Sequence, residues 1–247
     1  MRRFAVIADI HGNSDALGAV LADIDSQGTG QIINLGDHFS GPLDAVGTAA
    51  RLRSREMLSI CGNHDRYLIT REPAAMGQSD RVAYDQLSFA DLDWLRALPK
   101  VLELEDGIFA CHGVPRSDES YWLERVGPDG VPRTASLSEI EAEAEGVDAG
   151  LILCAHTHIP RLVRLPDGRI ILNPGSVGCP AYDDDEPVPH KMQTGSPHAS
   201  YAVVERRAAG WQAAFRYVAY DSAAMVARAE AEGRAEWARA LTTGWLE

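Results

Sequence analysis

The stretch Gln31-Ile32-Ile33-Asn34-Leu35-Gly36-Asp37-His38 decides how this chain is read. A short apolar run ends in Gly-Asp, His38 follows, and Gly41-Pro42 marks a turn. The pattern predicts a buried strand that stops and presents a carboxylate at its C-terminal edge. Similar apolar runs stop at His, Asp or Asn four more times: at Asp9 and His11, at Asn63 and His64, at His112, and at His156 and His158. On this reading the residues converge on Asp37 and hold metal.

Working outward, residues 3–8 read as a first strand, apolar on both faces as in a covered sheet. A helix follows from about Ser14 to Ser26, with Leu17, Val20, Leu21 and Ile24 on one face and Asn13 or Ser14 as cap. Residues 31–35 are the second strand, Pro42 opens a second helix to about Ser54, and residues 57–61 are the third strand. This βαβαβ order implies parallel strands with right-handed crossovers. Ligands of such sheets bind at the C-terminal strand edge, where Asp9, Asp37 and Asn63 lie.

Residues 64–98 read as amphipathic helix stopped by Pro99, and residues 101–104 and 108–111 as a hairpin. A polar excursion over 113–148 carries two short helices, near 117–125 and 136–145; it is either a lid or rim, or packing alone. Residues 151–154 are a strand, 162–165 and 169–172 a hairpin, 173–198 a loop, 200–205 and 211–218 a last hairpin, and 222–241 an Ala-rich helix. No internal repeat or flexible linker appears, so residues 1–247 form one domain. The expected fold class is α/β: a four-layer α-β-β-α sandwich with two facing mixed β-sheets and flanking helices.

The 247 residues carry a formal net charge of −13. That balance argues against a long nucleic acid as partner, since phosphate binding needs a basic patch. Bound cations can still bring an acidic chain to a phosphate. No apolar run approaches the roughly 20 residues of a membrane span. The N-terminus runs straight into Asp9, too short for a signal peptide, so a cytoplasmic protein is expected. Cys61, Cys111, Cys154 and Cys179 lack CxxC spacing and read as small buried residues. No motif bears on the oligomeric state.

Imidazoles and carboxylates together suit Mn, Fe, Zn or Ni. Some eight donors are too many for one tetrahedral ion and suggest two. Asp9-Ile10-His11, Gly36-Asp37, Gly62-Asn63-His64-Asp65, Cys111-His112-Gly113 and Ala155-His156-Thr157-His158, in this order, resemble the motifs of the calcineurin-like metallophosphoesterase superfamily. The resemblance runs from Phe4 to about Tyr201, and Asn173-Pro174-Gly175-Ser176-Val177-Gly178 is similar to its small single-domain bacterial and archaeal phosphodiesterase branch. It implies two divalent or transition metal ions, Mn or Fe first, Zn or Ni next. Asp9, His11, Asp37 and His158 would hold one ion; Asp37, Asn63, His112 and His156 the other, with Asp37 shared. His64 would protonate the leaving group, oriented by Asp65. Ala155 departs from the family's usual Gly.

The implied activity is phosphoester hydrolysis of small substrates, nucleotides among them, by in-line attack of a bridging hydroxide. The alternatives are a dinucleoside-polyphosphate hydrolase, a protein phosphatase, or a non-catalytic interaction scaffold on the same fold. For substrate contact the sequence offers Arg116 as a phosphate contact or a solvated arginine, Tyr121 as a stacking or packing aromatic, and Asn173 and Ser176 as rim residues. The run Asp183-Asp184-Asp185-Glu186 reads as a solvated loop, and His190 and His198 as surface residues.

Overall fold

The computed structural model describes residues 3–247. In chain order the first half holds β1 (Arg3–Ile7), α1 (Ser14–Ser26), β2 (Ile32–Asn34), α2 (Ala45–Arg53), β3 (Leu58–Ser59), α3 (Asn63–Thr70), α4 (Gln78–Gln86), α5 (Phe89–Ala97), β4 (Val101–Leu104) and β5 (Ile108–Cys111). The second half holds β6 (Glu124–Val126), β7 (Pro132–Thr134), α6 (Leu137–Glu143), β8 (Leu151–Leu153), β9 (Arg161–Arg164), β10 (Ile170–Asn173), β11 (Ala181–Asp184), β12 (His190–Gln193), β13 (Ala199–Arg207), β14 (Gly210–Val218), α7 (Ala223–Ala231) and α8 (Ala235–Thr243).

One mixed sheet runs β14-β13-β1-β2-β3 and a second runs β4-β5-β8-β10-β9. In the first, β1, β2 and β3 are parallel and β13 runs against β1. In the second, β5, β8 and β10 are parallel and the edge strands are antiparallel. Alternation along the strands makes the layers. Phe4, Val6, Ile33 and Leu35 face Ile108, Leu151, Leu153 and Leu172 in a core between the sheets. Ala5, Ile7 and Ile32 point the other way, onto Leu17, Val20 and Ile24 of α1. The chain is therefore mixed α/β with two facing sheets, as its apolar runs imply. The far face of the second sheet is covered differently: Phe109, Ile152 and Ile171 pack against Trp122, Ile140 and Ala144, from the 113–148 excursion.

Several local readings differ. Residues 64–98 are three helices and a 3₁₀ turn (Pro73–Ala75), broken at Pro73, at Gly77 and at Ser88, which caps α5. The second helix begins at Ala45, capped by Asp44, rather than at Pro42. No helix forms near 117–125; turns lead into β6, and buried Trp122 donates from Nε1 to the Ile140 carbonyl at 3.2 Å. The 173–198 loop contains the β11–β12 ribbon. The terminal helix is two, divided at Gly233 with φ +72°. Among the described residues no helix is long and apolar enough to cross a membrane.

Candidate metal centre

Asp9, Asp37 and Asn63 follow the C-terminal ends of β1, β2 and β3; His112 and the turn His156–His158 follow β5 and β8. Side-chain contacts join the two groups. Asp9, His11 and His158 form one cluster, and Asp37, His112 and His156 another; in each the potential ligand atoms lie within 4.8 Å of one another. Asp37 Oδ2 is 3.2 Å from His112 Nε2 and 3.8 Å from His11 Nε2, so it stands between the clusters. Asn63 adjoins them: its Oδ1 is buried without a partner, and it lines the same cleft.

The backbone at these positions is unusual. Among the described residues, the non-glycine positions with left-handed φ are Asp9 (+53°), His11 (+50°), Asp37 (+57°), His156 (+72°) and His158 (+60°), all among the expected ligands. Strain of this kind persists where surrounding contacts over-determine it. Those contacts are present. Asp9 N and Ile10 N donate to the Gly36 and Asp37 carbonyls at 3.0 and 2.9 Å. A Cβ on Gly36 (φ +99°) would come 2.5 Å from Gly62 N, so only glycine lets these two loops touch. Ala155 is not left-handed, so its extra methyl departs harmlessly from the usual Gly.

Carbonyl acceptors fix which ring nitrogen carries the proton. His11 Nδ1 donates to Ser40 O at 2.7 Å, His112 Nδ1 to Leu35 O at 2.7 Å, and His158 Nδ1 to Cys179 O at 2.6 Å. Each Nε2 is left facing the centre, as a lone pair on neutral His11 and His158 and beside the Asp37 carboxylate on His112. His156 is turned round: Nε2 donates to Glu119 O at 3.1 Å, leaving Nδ1 inward. His11 Nε2 and His158 Nε2 then face each other at 3.2 Å as two acceptors. Both Asp9 carboxylate oxygens are buried without a hydrogen-bond partner among the described residues. Orphaned buried acceptors of this kind fit cations.

Charge tells the same story. Burial lowers His11 to about 4 and His156 to about 3, and drives His158 well below its usual range, so these imidazoles are neutral. Burial pushes the Asp9 carboxyl up to about 8, against the pull of His112. Burial also opposes charge on Asp37 and His112, but their proximity wins: the carboxyl falls well below its ordinary value and the imidazole rises to about 10.

Asp65 does not orient His64. Its carboxylate is fully buried and accepts from the backbone N–H of Asp37 (2.8 Å), His38 (3.0 Å) and Gly62 (2.9 Å), and from His38 Nδ1 (2.8 Å). It ties the second-strand loop to the third. The partner of His64 is Asp80, in the first turn of α4, whose Oδ1 accepts from His64 Nδ1 at 2.7 Å and from Ser40 Oγ at 2.6 Å. Burial disfavours charge on His64, but the Asp80 hydrogen bond and nearby Asp37 outweigh it and raise the imidazole to about 9. The side chain is 33% exposed and lines the cleft.

The expected substrate contacts fall elsewhere. Arg116 is exposed and lines a separate groove with Glu103, Phe109 and Glu145. Tyr121 is held between Tyr182 and His190 by hydrogen bonds of 2.9 Å each, its ring against His156, so its hydroxyl is engaged inside the protein. His190 is accordingly buried rather than on the surface. Asn173 donates to Ala155 O at 2.9 Å and Ser176 Oγ to Asp9 O at 2.7 Å; both are buried supports of the ligand loops. All four cysteines are buried and free. The cleft, of about 280 Å³, is instead completed by Ser79, Tyr182, Asp183, Asp184, Arg234 and Trp237. None of these sits in a recognisable motif; the Tyr182-Asp183-Asp184 juxtaposition is the nearest to a signal.

The sequence profile of the calcineurin-like phosphoesterase superfamily domain matches residues 2–205. An uncharacterized protein of Methanocaldococcus jannaschii, MJ0912, is 28% identical over 203 residues, covering 71% of this chain and 76% of that one. The crystal structure of a metallophosphoesterase from Sphaerobacter thermophilus is 25% identical, with a TM-score of 0.72 over 94% of each chain. A hypothetical protein from Pyrococcus horikoshii, PH1004, shares the fold with a TM-score of 0.76 over 99% of each chain, at 21% identity.

Proposed function

Because the chain belongs to the calcineurin-like phosphoesterase superfamily, we propose that it is a metal-dependent hydrolase of small phosphorylated substrates that uses two metal ions. The observation carrying this reading is the pair of buried His/Asp clusters that meet at Asp37, under a cleft with His64 on its wall. Asp9, His11 and His158 would hold one ion, and His112, His156 and Asn63 the other. Asp37 would serve both. The neutral imidazoles and mixed oxygen donors suit Mn or Fe, with Zn or Ni also compatible.

Such cations supply Lewis acidity toward the phosphoryl oxygens and a strong nucleophile at neutral pH. The chain's own residues do the rest. Asp80 fixes the His64 proton on Nδ1 and turns Nε2 toward the cleft. A protonated His64 donates from Nε2 to the departing oxygen as the P–O bond breaks, a role worth about 10²–10⁴-fold. Asp65 holds the loops bearing Asp37 and Asn63 in register through four hydrogen bonds. Burial of the donors excludes competing water from the ligand side.

The test uses an aryl phosphate monoester and a bis-aryl diester with manganese-loaded protein. Manganese-dependent aryl alcohol release from at least one is expected. Release from neither, with metal bound, overturns the hydrolase reading in favour of a non-catalytic scaffold.

A further inference from the structure

We propose that Arg234 sets substrate preference at this site by binding a second phosphate carried on the leaving group. The inference rests on the hydrolase reading and narrows its substrate class. The family-matched span ends at residue 205, yet the two C-terminal helices return to the cleft and place Arg234 and Trp237 in its wall. Among the described residues that line the cleft, Arg234 is the one Arg or Lys; the other charged side chains there, apart from histidines, are Asp37, Asp183 and Asp184. In a chain of net charge −13, that single guanidinium is the local attraction for an anionic group reaching out of the metal centre.

Its placement is fixed. Arg234 Nη1 donates to Ser79 Oγ at 2.8 Å and Nε is paired with Glu236, with the side chain 17% exposed. Gln78 Nε2 donates to Glu232 O at 3.0 Å, so the α7–α8 turn is docked on the start of α4. Three of the five guanidinium N–H donors have no partner among the described residues. The residue after Ser79 is Asp80, which orients His64. The start of α4 thus contacts both Arg234 and His64, and both line the cleft that a leaving group would occupy. A guanidinium held this way presents fixed positive charge and free N–H donors to a phosphate.

Calorimetric titration of the manganese-loaded full chain with methylphosphonate and with methylenediphosphonate tests this without turnover. Chelation of manganese by the second phosphonate affects wild type and variants alike, so the reading is the change in the affinity ratio. R234Q is expected to lower the wild-type preference for the diphosphonate about tenfold. R234K, which keeps a positive charge and N–H donors at this point, is expected to retain at least about a third of it. A ratio in R234Q within about twofold of wild type overturns the proposal. So does an equal loss in both variants, which is what loosening of the helix turn produces. Failure of the hydrolase reading appears separately, as absent aryl ester turnover with the phosphonate preference intact.

Discussion

Asp65→Asn separates two accounts of the Gly-Asn-His-Asp segment. In the folded chain Asp65 Oδ2 accepts three hydrogen bonds, from Asp37 N, Gly62 N and His38 Nδ1, while Oδ1 accepts one from His38 N. A carboxamide best keeps its oxygen at the Oδ2 position, which sets its amino group against the His38 N–H. One buried donor then loses its acceptor, at about 1–3 kcal/mol. The three surviving bonds fall from charge-assisted to neutral, at about 0.5 kcal/mol each. The sum is about 2.5–4.5 kcal/mol, or about 5–18 °C in Tm for a chain of this size. Thermal unfolding in excess chelator reads this without a metal contribution. Asp80→Asn is the contrast: its Oδ1 can still accept from both Ser40 and His64, so it should shift Tm far less. Were D65N to unfold within about 3 °C of wild type while losing turnover, Asp65 would act on His64 after all and the buried clamp would be refuted.

The remaining expectations concern charge and metal. D80N should lower kcat about 10–100-fold at unchanged metal content, because His64 keeps its acceptor but loses the negative charge that holds it protonated; a kcat within twofold of wild type would sink that role. D37N should leave less than about half the manganese of an ion pair, whereas His11→Gln should keep one ion, as elemental analysis reads; equal retention would contradict a shared ligand. Arg216, and then Tyr201, hold the Asp23 carboxyl below its ordinary range. This stabilisation is present above the unfolded carboxyl value and is lost as pH falls through the lower folded one. D23N should therefore cost about 1 kcal/mol near neutrality, discounted for solvent, with the Tm gap closing as pH falls below the ordinary carboxyl range. A gap that is constant with pH would rule the charge effect out.

The strand ends were legible because a strand that stops at Asp or His must be presenting it, and parallel strands present at one edge. That argument reaches Asp9, Asp37, Asn63, His112, His156 and His158 and needs only local pattern. It fails where an acidic residue serves another segment. Asp80 lies 16 positions from His64, on a short helix whose sequence carries no mark of the contact. Asp65, adjacent to His64, looked like its partner, but as the third residue of α3 it points back to the helix start and the backbone behind it. Tyr121, Asn173 and Ser176 are polar residues whose groups are consumed by internal hydrogen bonds, which no single-sequence pattern shows. Chain breaks by Pro73, Gly77 and Gly233 were visible as residues but not as geometry.

The left-handed conformation at Asp9, His11, Asp37, His156 and His158 has a bearing on how such a protein is engineered. A side chain in that region costs roughly 1–2 kcal/mol that glycine does not. In metal-free protein, glycine at any of the five relieves backbone strain, and at Asp9 it also removes a buried carboxylate without a partner. Selection for thermal resilience in the absence of metal would therefore favour loss of Asp9, whose carboxylate has no partner among the described residues, and report it as a gain. Only a screen run with metal present ranks these positions by what they are for.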